Sequence, residues 1–145
     1  MSLLPASTNS DYLGARSAAW FLALIGALTF VPGCIHTFLS DGGAGVIAGL
    51  DLTANGPQVI GLFAWAGATQ IAWGAMMLAV ALRYRPLTPL ALALLLVERT
   101  LHALDGWLLK APAIGHKPPE AYAVLVALPL ILIFLALSLR RRRAS

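Results

Sequence analysis

The chain has 145 residues, 59% of them hydrophobic and only 11% charged, with a mean hydropathy of +0.82. A soluble domain carries about 25% charged residues, so this composition excludes an ordinary soluble enzyme and indicates one integral membrane domain. The net charge of +4 does not indicate nucleic acid: Arg140 to Arg143 form a block directly after an apolar run, and no basic surface interleaved with aromatics remains.

The first apolar run, 17–39 ("SAAWFLALIGALTFVPGCIHTFL"), follows an acidic leader of 16 residues. It is too long for the core of a signal peptide and predicts a membrane-spanning helix. Pro32 should bend that helix by removing a backbone bond. Cys34 is the single cysteine, which excludes an intramolecular disulfide and a thiolate cluster within one chain. "VPGC" at 31–34 is loosely like a lipoprotein cleavage site, but Pro32 fits that pattern poorly, and Cys34 is expected as a small buried residue. His36 falls near the far end of the span.

The connection "SDGGAGVIAGLDLTANGP" is rich in Gly and Asp and reads as a loop. Its "GVIAGLDL" segment is apolar enough to lie on the membrane surface or dip into it. The second run, 58–82, carries Gly67 and Gly74 seven residues apart, flanking Gln70. That small-residue face invites the close approach of another helix. Trp65 and Trp73 lie deep enough to wall a bundle, whereas Trp20 and Trp107 suit the membrane interfaces. Met76 and Met77 read as core or lipid contacts.

"RYRP" is a tight turn into the third run, 87–109, and "KAPAIGHKPPE" breaks the helix before the fourth, 121–139, which contains Pro129. His116 in that proline-rich connection is expected in solvent. If four helices alternate, Arg16, Arg83, Arg85 and the Arg140–Arg143 block share one side, and only Lys110 and Lys117 remain on the other. The positive-inside bias then places both termini in the cytoplasm and both longer loops outside. An all-α, integral membrane four-helix antiparallel bundle follows.

The third run carries the polar residues of interest, "LLLVERTLHALDGW" at 94–107. Glu98, His102 and Asp105 are spaced i, i+4, i+7 and share one helical face. Arg99 lies about 100° away from Glu98, so it is expected not to pair with this immediate neighbour and to need another acceptor or water. At about 1.5 Å per residue, Glu98 lies roughly 16 Å in, near the midplane. His36 comes level with Asp105, and Gln70 with Glu98. Placing a charge at mid-bilayer costs at least about 2.5–3.5 kcal/mol, which argues against unpaired accidents.

Two readings stand side by side: helix-tying ion pairs, or a pocket open to the exterior and lined by His36, Gln70, Glu98, Arg99, His102 and Asp105. Such a pocket could bind or process a small lipophilic molecule by acid–base chemistry. His36 and His102 could alternatively hold a metal or ligate haem, although no HExxH or CxxCH spacing is present. Membrane lipid and a small lipophilic ligand are the expected partners, with no nucleic acid and with self-association left open.

"GLFAWAGATQIAWGAMMLAVALRYRP" followed by "ERTLHALDGW" resembles the small four-helix, DoxX-like bacterial membrane families of unknown function. The matching positions are Gly67, Gly74, Arg99, Asp105 and Gly106, within residues 58–107. The resemblance implies a four-helix bundle in the bacterial inner membrane. Through redox complexes linked with some relatives, it also implies a quinone- or thiol-related role.

Overall fold

Each of the four apolar runs becomes a helix in the computed structural model, which describes residues 3–110 and 117–140. Helix α1 spans Arg16–Phe38 and α2 spans Gly56–Arg83. Helix α3 spans Thr88–Leu104 and continues as a π-helical turn over Asp105–Leu109; α4 spans Pro119–Leu139. All four runs are long and apolar enough to cross a membrane, whose hydrocarbon core of about 30 Å needs roughly 20 residues. The chain is a multi-pass membrane protein, all-helical across its described residues. His116 and 141–143 lie outside those residues.

Local sequence sets the helix boundaries. Proline occupies the first turn of α2, α3 and α4, where its missing N–H would have had no intrahelical acceptor anyway. Pro32 and Pro129 sit inside α1 and α4 without ending them. In lipid, neighbouring helices can satisfy the carbonyl such a proline frees.

The tightest seam joins α1 to α2, and it is built from glycine on both sides. A Cβ on Gly33 would come 2.9 Å from the carbonyl oxygen of Gly67, and one on Gly67 would come 2.7 Å from that of Gly33. Two helical turns further on, a Cβ on Gly74 would lie 2.8 Å from the Gly26 carbonyl oxygen. Gly26 and Gly33 thus repeat on α1 the seven-residue spacing of Gly67 and Gly74 on α2. Only the absence of side chains lets the two backbones touch.

The fully buried side chains gather at one end of the bundle. Leu22, Met77, Leu92, Leu95 and Ile131 have no exposure, and Phe21 stacks on Phe134 with centroids 4.2 Å apart. These residues lie near the start of α1, the end of α2, the start of α3 and the second half of α4, the end of the bundle that holds both termini. Helix α4 contributes only Val124, Ile131 and Ser138 as buried positions, one every seventh residue. Its other faces, including Val126 and Ile133, are exposed and apolar, as suits contact with lipid.

Towards the opposite end, the hairpin α1–α2 and the hairpin α3–α4 part company. There α3 is fastened to α4 instead: Trp107 Nε1 donates to the Ala121 carbonyl at 2.8 Å, and Tyr122 packs against its ring edge-on. The ammonium of Lys117 lies 4.7 Å from the centroid of the same indole. Cys34, expected buried, is only half-buried, because α1 beyond Gly33 is covered by α2 alone on one side.

The leader forms a strap across the terminal end. Ser7 Oγ and the Thr8 N–H both donate to the Arg83 carbonyl, one of the acceptors that a helix end leaves unsatisfied. Asn9 brackets the α2–α3 turn: its amide donates to Leu82 O at 2.6 Å and its Oδ1 accepts from the Arg85 N–H at 3.2 Å. The Arg83 guanidinium and the Tyr84 hydroxyl both return to Pro5 O.

In the α1–α2 connection, Asp41 accepts from the N–H groups of Gly43, Gly45 and Val46. The Val46 and Gly43 bonds chiefly hold its carboxyl below the ordinary value of 3.8. Gly42 and Gly43 take positive φ of 62° and 75° to close this turn. Val46 is 84% exposed beside a half-exposed Ile47, an apolar tip of the kind a membrane surface accepts.

Candidate functional site

Where the hairpins diverge, α2 and α3 leave a groove of about 860 Å³ between them. Its walls are largely apolar. Leu62, Trp65 and Trp73 come from α2, and Leu94, Val97 and Leu101 from α3. Trp65 is 74% exposed, and Leu94, Val97 and Leu101 are about half exposed, so the groove opens sideways, to where the acyl chains of a bilayer lie. A second cavity of about 280 Å³ adjoins it at the loop end, lined by His36, Leu62, Phe63, Ala66, Gln70 and Glu120. Leu62, Ala66 and Gln70 line both.

The six candidate residues fall into three groups. Gln70, Glu98 and His102 line the groove together. This placement agrees with the i, i+4 spacing on α3 and with the expected common depth of Gln70 and Glu98. His36 is in the smaller cavity, where its Nδ1 lies 2.6 Å from the Gly42 carbonyl and its ring meets Phe63 edge-on. Arg99 and Asp105 line neither cavity, and Asp105 pairs with Lys110 at 3.4 Å. Asp105 keeps regular helical phase, its N–H bonding the Leu101 carbonyl, but it stands beyond His102, the last residue of α3 to line the groove.

Arg99 corrects an expectation. Its Nε lies 3.1 Å from Glu98 Oε2, so the two sequence neighbours do pair. The long guanidinium arm folds back across the angular gap that separates their Cβ atoms. The gap still leaves its mark: Glu98 Oε2 accepts no hydrogen bond within the protein, which makes the contact Coulombic and misdirected. The other face of the guanidinium donates from Nη1 to Glu120 Oε1 at 3.0 Å. Glu120 stands in the first turn of α4, where the helix dipole favours negative charge. Glu98 Oε1 meanwhile lies 3.3 Å from His102 Nδ1. A chain of charge therefore runs His102, Glu98, Arg99, Glu120 and crosses from α3 to α4.

Four residues that line the groove each carry a buried polar atom without a hydrogen-bond partner in the protein: Thr29 Oγ1, Gln70 Oε1, Trp73 Nε1 and Glu98 Oε2. Such atoms are uncommon in native structures. Neither Thr29 nor the Trp73 N–H stood out in the sequence. A lone threonine in an apolar helix ordinarily bonds the carbonyl a turn back, and a tryptophan ordinarily supplies apolar area.

As for metal, no cluster of three or more His, Cys, Asp or Glu side chains occurs among the described residues. His36 and His102 line different cavities, the first engaged with Gly42 and the second with Glu98. Comparison with protein-family models, with curated proteins and with solved structures finds no match to this chain.

Proposed function

We propose that this membrane protein binds a small lipophilic molecule in the groove between α2 and α3. The groove is the observation that carries the reading. Its 860 Å³ falls within the roughly 300–1,000 Å³ typical of small-molecule sites. Like them it combines apolar walls with a few placed polar groups. His102 and Glu98 at its edge supply proton-transfer groups should the bound molecule be processed. Both termini lie at the arginine-rich end of the bundle, which supports a cytoplasmic location for them in a bacterial inner membrane. The DoxX-like relationship belongs to the same proposal, supported by Gly67 and Gly74, which sit in the α1–α2 seam.

Ala66 lines both cavities, so Ala66→Trp should fill their junction while keeping every ionisable side chain of the site. Protein purified in mild detergent and measured by native mass spectrometry should carry a bound lipophile that this variant lacks, with an unchanged helical circular dichroism spectrum. The same adduct on both proteins would refute the groove as the binding site. One observation favours a second reading, an accessory subunit without a ligand: Arg99 ties α3 to α4 through Glu120. Under that reading Arg99→Ala destabilises the bundle while His102→Ala is silent in every assay.

A further inference from the structure

The two cavities adjoin along one stripe of α2, which fits them to the head and the tail of a single amphiphile, an inference that rests on the groove being a binding site. Leu62, Ala66 and Gln70 line both; they stand four residues apart on one helical face and mark out about 12 Å. On the groove side of this stripe the walls are largely apolar. The smaller cavity, at the loop end, holds His36 and Glu120. His36 Nδ1 meets the Gly42 carbonyl at 2.6 Å. A carbonyl can only accept, so Nδ1 carries the hydrogen and Nε2 is the acceptor of the neutral ring. Glu120 gives Oε1 to Arg99, while half of its side chain stays exposed. The Gln70 amide can donate or accept and so selects nothing by itself.

We propose that the occupant is an amphiphile with a primary ammonium head, which donates to Glu120 and to His36 Nε2 in the smaller cavity while its apolar tail lies in the groove between α2 and α3. Charge favours this head. Arg99 is shared between Glu98 and Glu120, so one cation serves two carboxylates, and Glu120 is the one in the smaller cavity. Lys110 pairs with Asp105 and Lys117 sits on the Trp107 indole. Outside the terminal end the chain carries five carboxylates against Arg99, Lys110 and Lys117, and a cleft of negative sign concentrates cations. An ammonium has three donors, enough for both acceptors. A hydroxyl has one and serves only one of them, and a carboxylate is repelled by Glu120. At the loop end the head also keeps part of its hydration, which lowers the cost of moving it out of water. A free long-chain amine and the ethanolamine head of a membrane phospholipid both supply such an ammonium.

The test uses the full-length protein in phosphatidylcholine nanodiscs and native mass spectrometry, with octadecylamine, octadecyltrimethylammonium, octadecanol and stearate as probes of one chain length. Octadecylamine should bind at least about tenfold more tightly than octadecanol, the scale of a hydrogen bond to a charged group, and stearate should bind most weakly. Glu120→Gln should remove most of the preference for amine over alcohol. His36→Leu should weaken the amine severalfold and leave the quaternary ion, which has no N–H, unchanged. Comparing each variant with the parent protein cancels the partition of a probe into lipid. Circular dichroism checks that the variants fold, and one folded variant suffices. Nanodiscs of phosphatidylethanolamine distinguish the two sources: loss of octadecylamine binding there assigns the ammonium to the lipid head, and its retention to a free amine. Equal binding of amine and alcohol, abolished for both by Ala66→Trp, would overturn the ammonium inference and leave the groove reading standing. An amine preference that survives Glu120→Gln, or a quaternary ion bound as tightly as the amine, would overturn it likewise. No saturable binding of any probe would overturn both.

Discussion

A single methyl group added at Gly67 should prise α1 from α2, and the same change at Gly61 supplies the control. A Cβ at Gly67 would stand 2.7 Å from the Gly33 carbonyl oxygen and 2.8 Å from His36 Cβ, whereas ordinary contact begins at 3.4 Å. The helices must separate by about 0.7 Å, the difference of those distances, since a backbone carbonyl has no rotamer by which to yield. Parting by that much weakens a good share of the dispersion contact along the seam, and overpacking of this kind costs about 1–3 kcal/mol. At Gly61, also inside α2, an added Cβ meets nothing within 4 Å. There the change should be neutral or stabilising by at most about 1 kcal/mol, from helix propensity alone. Reversible unfolding in mixed dodecyl maltoside and dodecyl sulfate, followed by circular dichroism, measures both. If Gly67→Ala proves as stable as Gly61→Ala, the backbone contact does not hold the hairpin together and the seam argument is wrong.

Other expectations follow from the ion pairs, the loop, the strap and the charge distribution. Arg99→Gln should destabilise by about 1–3 kcal/mol, the range for hydrogen bonds to charged groups, while Glu120→Gln, at a half-exposed carboxylate, should cost at most about 1 kcal/mol; the reverse order in the same unfolding assay would place the weight on Glu120. Because the folded state holds the Asp41 carboxyl below 3.8, the stabilisation it brings is present above the unfolded value and lost as pH falls through the folded one. Amide exchange at Gly43, Gly45 and Val46, corrected for its intrinsic pH dependence, should accelerate only in that acidic window, and Asp41→Ala should show the accelerated rate already at neutral pH. Asn9→Ala should cost about 1–2 kcal/mol for two hydrogen bonds and expose the α2–α3 turn to proteolysis; unchanged cleavage would deny the bracket any role. A C-terminal fluorescent fusion should glow and a C-terminal alkaline phosphatase fusion should be inactive; the opposite pair would invert the proposed orientation.

The spans were legible because a bilayer imposes length and apolarity together, and each expected run lies within two or three residues of a helix or its π-turn extension. The glycines of α2 were legible as a packing face, yet their counterparts Gly26 and Gly33 passed unremarked. Their identical spacing of seven was the available signal. Gln70, Glu98 and His102 could be gathered because helical phase and depth follow from counting along regular helices. Phase and depth do not say where a cavity ends, which is why Asp105, still in helical phase, was grouped with residues it does not join. The link from Arg99 to Glu120 was hidden for another reason. It depends on which helix neighbours α3 and on how a long side chain folds, neither of which periodicity encodes. The unpaired atoms of Thr29 and Trp73 likewise depend on where the two hairpins diverge, a property of the assembled bundle.

The strap at the terminal end has a bearing on how the protein is made. Ser7 leaves the ribosome ahead of α1 and α2, but the carbonyl it bonds belongs to Arg83, 76 residues later. At a synthesis rate of about 5–20 residues per second, the leader waits several seconds for its partner. During that interval α1 and α2 can already be in the bilayer, joined through their glycine seam, with the turn to α3 still emerging. The strap is therefore synthesised before the first two helices yet finds its place after them, closing over a turn that exists only once the third helix has begun to follow the second. A bulky domain fused at the N-terminus would burden this late step rather than the entry of the first helix, and its effect would surface as slow maturation of a protein already inserted.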